Sequence, residues 1–212
     1  VTLTVGTGAN AQIDLDAITG ADGGGAVSNL TINTAGVVTV AEAVGTNIGT
    51  VTITQSGGTT FASTVGAATV AITDTADAAA VAFQGNLTVG TAMTVAAQPY
   101  NVSITGGTNT IAGTTTFNNS GTLTLGNGGD TIAFTGGVVA TAPSAINLNG
   151  TVSAAGTGVI TLGDANTGVA VGGNSTVGGT STGTISMGDA TLADGVTLTV
   201  GTGANAQIDL DA

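Results

Sequence analysis

The sequence predicts an all-β fold, and specifically a parallel β-helix (β-solenoid) of about ten coils with roughly 20 residues each. Three observations predict it: short alternating segments recur along the whole chain, most apolar side chains are small or β-branched, and internal echoes are spaced by one or two coil lengths. Of the 212 residues, 42% are apolar but only 2% are aromatic, and 37 are glycine. Small and β-branched side chains suit closely stacked strands, and glycine suits frequent turns.

Ten segments alternate between apolar and polar residues with a period of two, which is the pattern of a β-strand with one buried face. Each segment is closed by glycine, asparagine or aspartate, so each predicts a short strand followed by a turn. In chain order they are VTLTVG (1–6), LTINTAG (30–36), VTITQSGG (51–58), ATVAITDT (68–75), NLTVGTA (86–92), NVSITGG (101–107), TLTLGNGG (122–129), INLNGTV (146–152), VITLGDA (159–165) and TISMGDA (184–190). No segment with helical periodicity competes with them.

The spacing of related segments gives the length of one coil. Pro99 and Pro143 precede alternating strands by the same number of residues and lie 44 residues apart, which fits two coils of about 22 residues. The segments VITLGDA and TISMGDA place Ile160 over Ile185 at a separation of 25 residues, which fits one coil. Like residues are therefore expected to stack on like in successive coils.

Tight-turn signals leave an antiparallel sandwich or barrel as the alternative. Asn127-Gly128 and Asn149-Gly150 are dipeptides that favour two-residue hairpins. Strands of a sandwich usually differ from one another, whereas here each coil length restates the same alternation, so we favour the parallel solenoid. Its narrow core would hold valine, isoleucine, leucine and alanine with little room for aromatic rings, and outward threonine and asparagine would form ladders.

A longer repeat is superimposed on the coils. Residues 1–17 and 196–212 share the sequence VTLTVGTGANAQIDLDA, which gives a period of 195 residues. We therefore interpret residues 1–195 as one solenoid unit and residues 196–212 as the start of the next identical unit in a tandem array. At about 4.8 Å per coil, ten coils would advance such a unit by about 48 Å along the axis.

Composition excludes several classes of function. The chain has twelve acidic residues and no lysine, arginine or histidine, so its net charge is −12 and nucleic acid is not an expected partner. Without cysteine it has neither disulfides nor thiolate metal ligands. The sequence also lacks a run of about eighteen apolar residues, so we expect no membrane-spanning segment within it.

A few carboxylates are candidates for calcium, although we expect no obligatory cofactor. Asp14 and Asp16 lie two residues apart, as do their copies Asp209 and Asp211, so each pair would project to one side of a strand. Asp130 lies in GNGGDTIAF (126–134), which partly echoes the glycine-rich calcium nonapeptide of repeat toxins. That motif binds calcium through repetition and occurs once here, so we interpret it as a plain turn.

We do not expect an enzyme. Nucleophilic triads need histidine, and a β-helical lyase needs a cationic residue. A hydrolase would need two converging acids, for which Asp164 stacked near Asp189 is the only pair that the coil spacing suggests. Six Asn-x-Ser/Thr sequences are potential glycan acceptors, at Asn29, Asn86, Asn101, Asn118, Asn149 and Asn174.

The stretches TTTFNNSGTLTLGNGGDTIAFTGG (114–137) and ATAPSAINLNGTVSAAGTGVITLG (140–163) resemble the repetitive β-helical regions of giant bacterial surface proteins, such as filamentous-haemagglutinin-like exoproteins and autotransporter passengers. The likeness extends over essentially the whole chain and lies in the general pattern of the repeats, not in a diagnostic motif. The resemblance implies a right-handed β-helix that is secreted and serves in adhesion, biofilm matrix or cell-surface fibres.

Three functions are compatible with these features. The first is a structural extracellular fibre or stalk, in which the protein's partner is itself, axially through successive repeats and laterally in bundles. The second is an adhesin that binds glycans on one face of the β-helix, which would need exposed aromatic and polar groups. The third is a carbohydrate-active enzyme, which would need a groove with converging acids.

Overall fold

The computed structural model describes residues 1–7, 10–21, 27–45, 47–203 and 207–210. The secondary structure in these ranges consists of 24 β-strands, and every pairing between these strands is parallel. The chain is a parallel β-solenoid of about nine turns, which confirms the predicted fold class.

Each turn contributes one strand segment to each of three faces, which we define by their hydrogen-bonded columns. The first face contains β1 (Thr2–Val5), β4 (Ser28–Asn33), β7 (Ile48–Gln55), β9 (Val65–Ile72), β11 (Leu87–Val95), β14 (Thr115–Thr116), β16 (Val138–Ala140), β18 (Ile160–Leu162), β21 (Ile185–Met187) and β24 (Ile208–Asp209). The second face contains β2 (Ile13–Leu15), β5 (Val38–Val40), β8 (Thr59–Phe61), β10 (Ala80–Phe83), β12 (Asn101–Ile104), β15 (Thr122–Phe134), β17 (Ala145–Ala154), β19 (Val169–Val171) and β22 (Ala190–Leu192).

The third face contains β3 (Ile18–Thr19), β6 (Val44–Gly45), β13 (Thr108–Ile111), β20 (Ser175–Gly179) and β23 (Leu198–Gly203), together with parts of four longer strands. β9 and β11 bend around the corner from the third face to the first, and β15 and β17 bend from the second face to the third. The chain thus visits the first, second and third faces in the same order in every turn.

The predicted coil spacing is confirmed. Val102 pairs with Leu123, which pairs with Ile146, so the two strands that follow the prolines lie two turns apart on the second face. Ile160 pairs with Ile185 on the first face, as the sequence predicts. Paired residues are from 19 to 27 positions apart, so the turns vary in length and the extra residues lie in the corners.

The Asn-Gly signals mark corners of the solenoid instead of hairpins. Gly128 has a φ of +138° and lies in β15 where the register shifts between the second and third faces. Gly150, with a φ of +155°, occupies the equivalent corner of β17 one turn later. Glycine reaches such angles at no steric cost, so the backbone can change direction here without ending the strand.

The core consists of the residues at alternate strand positions, which point inward on all three faces and are buried. Aromatic residues occur there too, contrary to the expectation that a narrow core has little room for them. Phe61 and Phe83 stack across one turn with ring centroids 5.1 Å apart and planes at 3°. Phe117 and Phe134 meet edge to face at 5.9 Å. Large rings therefore fit because they occur in neighbouring positions where they pack against each other.

Tyr100 lies at the corner before β12 and is completely buried. Its hydroxyl donates to backbone carbonyl oxygens, with Ala96 O at 3.1 Å and Ile72 O at 3.3 Å. Burial raises the pKa of this phenol to about 12, because the charged form would lose its hydration, and the negative charge of Asp74 adds to the rise.

We expect the free energy of unfolding to fall as the pH rises from 10 to 12. The unfolded chain releases the tyrosine proton near the ordinary pKa of 10.0, while the folded chain retains it up to about 12, so the stabilisation is fully present below pH 10 and is lost as the pH passes the folded pKa. The chain has one tyrosine and no lysine, arginine, histidine or cysteine, so no other side chain titrates in this range. Urea unfolding across this pH range measures the effect. An equal fall in the Tyr100→Phe variant would contradict it.

Candidate functional site

The two aspartate pairs proposed for calcium lie at the two ends of the solenoid. Asp14 is an exposed residue of the first turn, and its two carboxylate oxygens accept hydrogen bonds from Gln12 Nε2 at 2.9 and 3.1 Å. Asp16 is exposed just beyond the same strand, Asp209 lies in the last turn, and Asp211 falls outside the described residues. Within the described ranges, no three histidine, cysteine, aspartate or glutamate side chains form a group that could hold a metal ion. Calcium binding by these pairs stays a prediction.

Asp130 stabilises a corner. Its Oδ2 accepts a hydrogen bond from the backbone N–H of Asn127 at 2.7 Å, across the turn that leads from the second face to the third. Gly126 and Gly129 in this turn have φ values of +81° and +76°. The carboxylate is buried and engaged with the backbone of its own loop, which agrees with the interpretation of this segment as a turn.

The predicted column of Asp164 over Asp189 does not form. Asp164 belongs to a tight turn in which its Oδ1 accepts the N–H groups of Asn166 and Thr167 at 2.8 and 2.9 Å. In the next turn of the solenoid, Asp189 leads directly into β22, and its backbone oxygen accepts the N–H of Val169. The offset of 25 residues that holds along β18 and β21 becomes 21 residues along β19 and β22, so the aspartates are out of register.

Two shallow surface depressions, of about 390 and 310 Å³, lie among the described residues. The larger lies beside the end of the second face and includes Asn147, Asn149 and Leu192; the smaller lies beside the first face and includes Thr94 and Asn118. Neither has a carboxylate or an aromatic ring in its lining. All four phenylalanines and the single tyrosine of the chain are buried, so the aromatic surface that a glycan-stacking face requires is not present on the described faces.

Most asparagines of the six Asn-x-Ser/Thr sequences instead join neighbouring turns. In four of them the side-chain Oδ1 accepts the backbone N–H of a threonine one turn later. The pairs are Asn29 with Thr50 at 2.9 Å, Asn86 with Thr108 at 3.0 Å, Asn101 with Thr122 at 2.7 Å and Asn174 with Thr197 at 2.9 Å. Asn118 Nδ2 donates to the carbonyl oxygen of Val95 one turn earlier, at 3.0 Å. The outward asparagines thus form ladders from side chain to backbone at the corners.

Asn101 and Asn109 each connect three successive turns. Asn101 donates to the carbonyl oxygen of Ala78 in the turn before, and its Oδ1 accepts both the N–H and the hydroxyl of Thr122 in the turn after. The buried Asn109 accepts the N–H of Leu87 in the turn before and donates to the carbonyl oxygen of Thr131 in the turn after. Each amide satisfies backbone groups that a corner leaves outside the strand ladders.

We expect Asn101→Ala to lower the free energy of unfolding by about 1–3 kcal/mol, because it leaves a carbonyl and an N–H of two neighbouring turns without their partner. Urea unfolding followed by circular dichroism measures this loss. The matched control is Asn147→Ala in the next-but-one turn of the same face, where the amide makes one long exposed contact of 3.4 Å to Thr124 Oγ1 and should cost little. Equal losses in the two variants would contradict a bridging role.

The first and last turns expose residues that belong to core columns. Leu3 is 48% exposed, whereas Leu30, its partner one turn inward, is fully buried. At the other end Ile208 is 46% exposed and its partner Ile185 is fully buried. Leu3 and Ile208 therefore continue the apolar core columns of the turns next to them.

The two copies of the duplicated segment occupy different faces. In the first copy Leu3 and Val5 pair with Leu30 and Ile32 on the first face, and in the second copy the same residues, Leu198 and Val200, extend the third face. The first copy pairs with the turn that follows it and the second with the turn that precedes it. The same sequence therefore forms regular strand pairs through one edge in the first copy and through the other edge in the second copy.

None of the described residues forms a helix long and apolar enough to cross a membrane. In comparisons with protein-family models, curated proteins and solved structures, no significant match to this chain was found.

Proposed function

We propose that the protein is a structural unit of an extracellular fibre or stalk built from tandem β-solenoid repeats. The observation that carries this proposal is the seventeen-residue sequence that recurs after 195 residues and pairs in regular parallel register at both places. A solenoid is stabilised by contacts between neighbouring turns, so successive units can continue one another along the axis. In this proposal the repeated sequence serves to extend the fibre along its axis.

The character of the faces supports the same function. The outward positions are mostly threonine, serine, alanine and asparagine, and the corners are fixed by the asparagine ladders. With a charge of −12 and no basic residue, neighbouring fibres repel one another, which favours axial growth over lateral bundling. Proteases that cut after lysine or arginine find no cleavage site in the chain, which suits an exposed location outside the cell.

Electron microscopy of the native material tests the proposal, together with a denaturing gel. We expect unbranched filaments of uniform width, and a chain far larger than the 19.7 kDa of the present sequence. If filaments are seen but the denaturing gel gives a single band near 19.7 kDa, the units stack without covalent continuity. That result would support the fibre and contradict the tandem chain. A band of that size without filaments would overturn the proposed function.

A further inference from the structure

We infer that consecutive repeats join as one uninterrupted solenoid in which each repeat is rotated by one face, a third of a turn, relative to the one before. This inference rests on the proposed tandem array and specifies its geometry. It follows from the two placements of the duplicated segment, which are neighbouring faces of the same three-sided coil.

The strand registers define the shift. The chain starts on the first face with Thr2–Val5 and returns to the same sequence with Leu198–Gly203 on the third face. Between these two points it completes eight turns and two thirds of a ninth. The second part of the segment shifts in the same sense, because Ile13 lies on the second face and its copy Ile208 lies on the first. Both halves of the duplicated segment are therefore displaced by one face, in the same direction, between the two copies.

Side-chain orientation is preserved in both placements. Ile13 pairs with the buried Val38, and its copy Ile208 pairs with the buried Ile185, so the same isoleucine points into the core on either face. A slip of one residue would have turned it outward. A single copy can therefore pair with the preceding turn through one edge and with the following turn through the other, without changing which residues are inside.

This geometry fixes two axial distances. At about 4.8 Å per turn, one repeat of eight and two-thirds turns advances by about 42 Å, instead of the roughly 48 Å expected for ten coils. Three repeats complete 26 turns and return the sequence to its starting face after about 125 Å. Every side of the fibre then shows all three faces in rotation, so a group that occurs once per repeat follows a three-fold screw along the axis.

Disulfide trapping in a chain of three consecutive repeats tests the register, because the natural sequence has no cysteine to compete. Directly paired residues of neighbouring parallel strands lie within the Cα separation that a disulfide spans. We expect Asp209→Cys to cross-link with Ser186→Cys on the first face. Asp209 is also Asp14 of the next repeat, so we expect it to cross-link as well with Thr39→Cys of that repeat, in a second double variant.

A third double variant distinguishes the rotated junction from an unrotated one. If each repeat restarted on the first face, the second-face column that contains Asp14 would continue from Thr191, and Asp209→Cys would cross-link with Thr191→Cys instead. That result would overturn the inference, as would loss of either expected cross-link. The pair Thr39→Cys with Thr60→Cys, which lies within one repeat, is the positive control for folding and oxidation.

The cross-links report the junction in any tandem chain, whether or not the native protein forms filaments. A second measurement uses a chain of three repeats in which Thr94→Cys, an exposed position on the first face, is the only cysteine of each repeat. Gold particles bound to these cysteines show in electron micrographs on which side of the rod each repeat carries its label. Three labels on three sides of the rod support the rotation, and three labels in one line overturn it.

Discussion

Replacing Phe83 with alanine is expected to lower the free energy of unfolding by about 3–5 kcal/mol. Phe83 is fully buried in β10, where it stacks on Phe61 of the preceding turn and pairs with Ile104 of the following one. Removing the ring leaves a cavity in the close-packed core, which the surrounding side chains fill only in part. Urea unfolding measures the loss, and hydrogen exchange should show it concentrated in the turns that contain the two rings.

The matched control is Thr88→Ala, an exposed position in β11 of the same turn, which should change the stability by less than about 0.5 kcal/mol. A loss below about 1 kcal/mol for Phe83→Ala would contradict the prediction. It would mean that neighbouring turns can move together to close the cavity.

Gly121→Ala is expected to destabilise the solenoid by about 3 kcal/mol, even though it adds a single methyl group. The Cβ would overlap the backbone carbonyl of Tyr100 in the preceding turn. Unlike Gly128, Gly121 does not have a positive φ, so the cost arises from the approach of two backbones and not from backbone conformation. Relief requires the two turns to separate, which stretches the parallel hydrogen bonds on both sides of the corner.

Gly172→Ala is the control, because it also lacks a positive φ but its Cβ would meet no atom within 4 Å. We expect it to be neutral or slightly stabilising, since alanine restricts the unfolded chain. Thermal unfolding of the two variants side by side measures the difference. Similar midpoints would show that the corner at Gly121 has room to adjust.

The fold could be predicted from the sequence because the longer strands keep a clear alternation of apolar and polar residues. All ten predicted segments overlap observed strands, and the pairing of Ile160 with Ile185 follows directly from their matching context. The three-sided cross-section was not predicted. Strands such as Ile13–Leu15 and Val38–Val40 have only two inward residues each, so their alternation is too short to distinguish them from turns.

The functional features were harder to predict because they depend on the corners. Asn101 appears in the sequence as part of a glycan acceptor motif, and its role in joining three turns is visible only once the register places Thr122 beside it. The sequence does contain a signal, since each of the four asparagines precedes its threonine partner by 21 to 23 residues. The same dependence explains the error at Asp164 and Asp189, where a turn of 164–167 changes the offset after a correctly predicted strand.

The strictly local pairing of turns also determines the order in which the chain can fold. A strand finds its last neighbour within about one further turn, because paired residues are never more than 27 positions apart in the described strands. Loop closure over such distances is fast and costs little more for late turns than for early ones. A chain that emerges gradually from a ribosome or an export channel can therefore fold turn by turn, each finished turn templating the next, and the time needed grows in proportion to length.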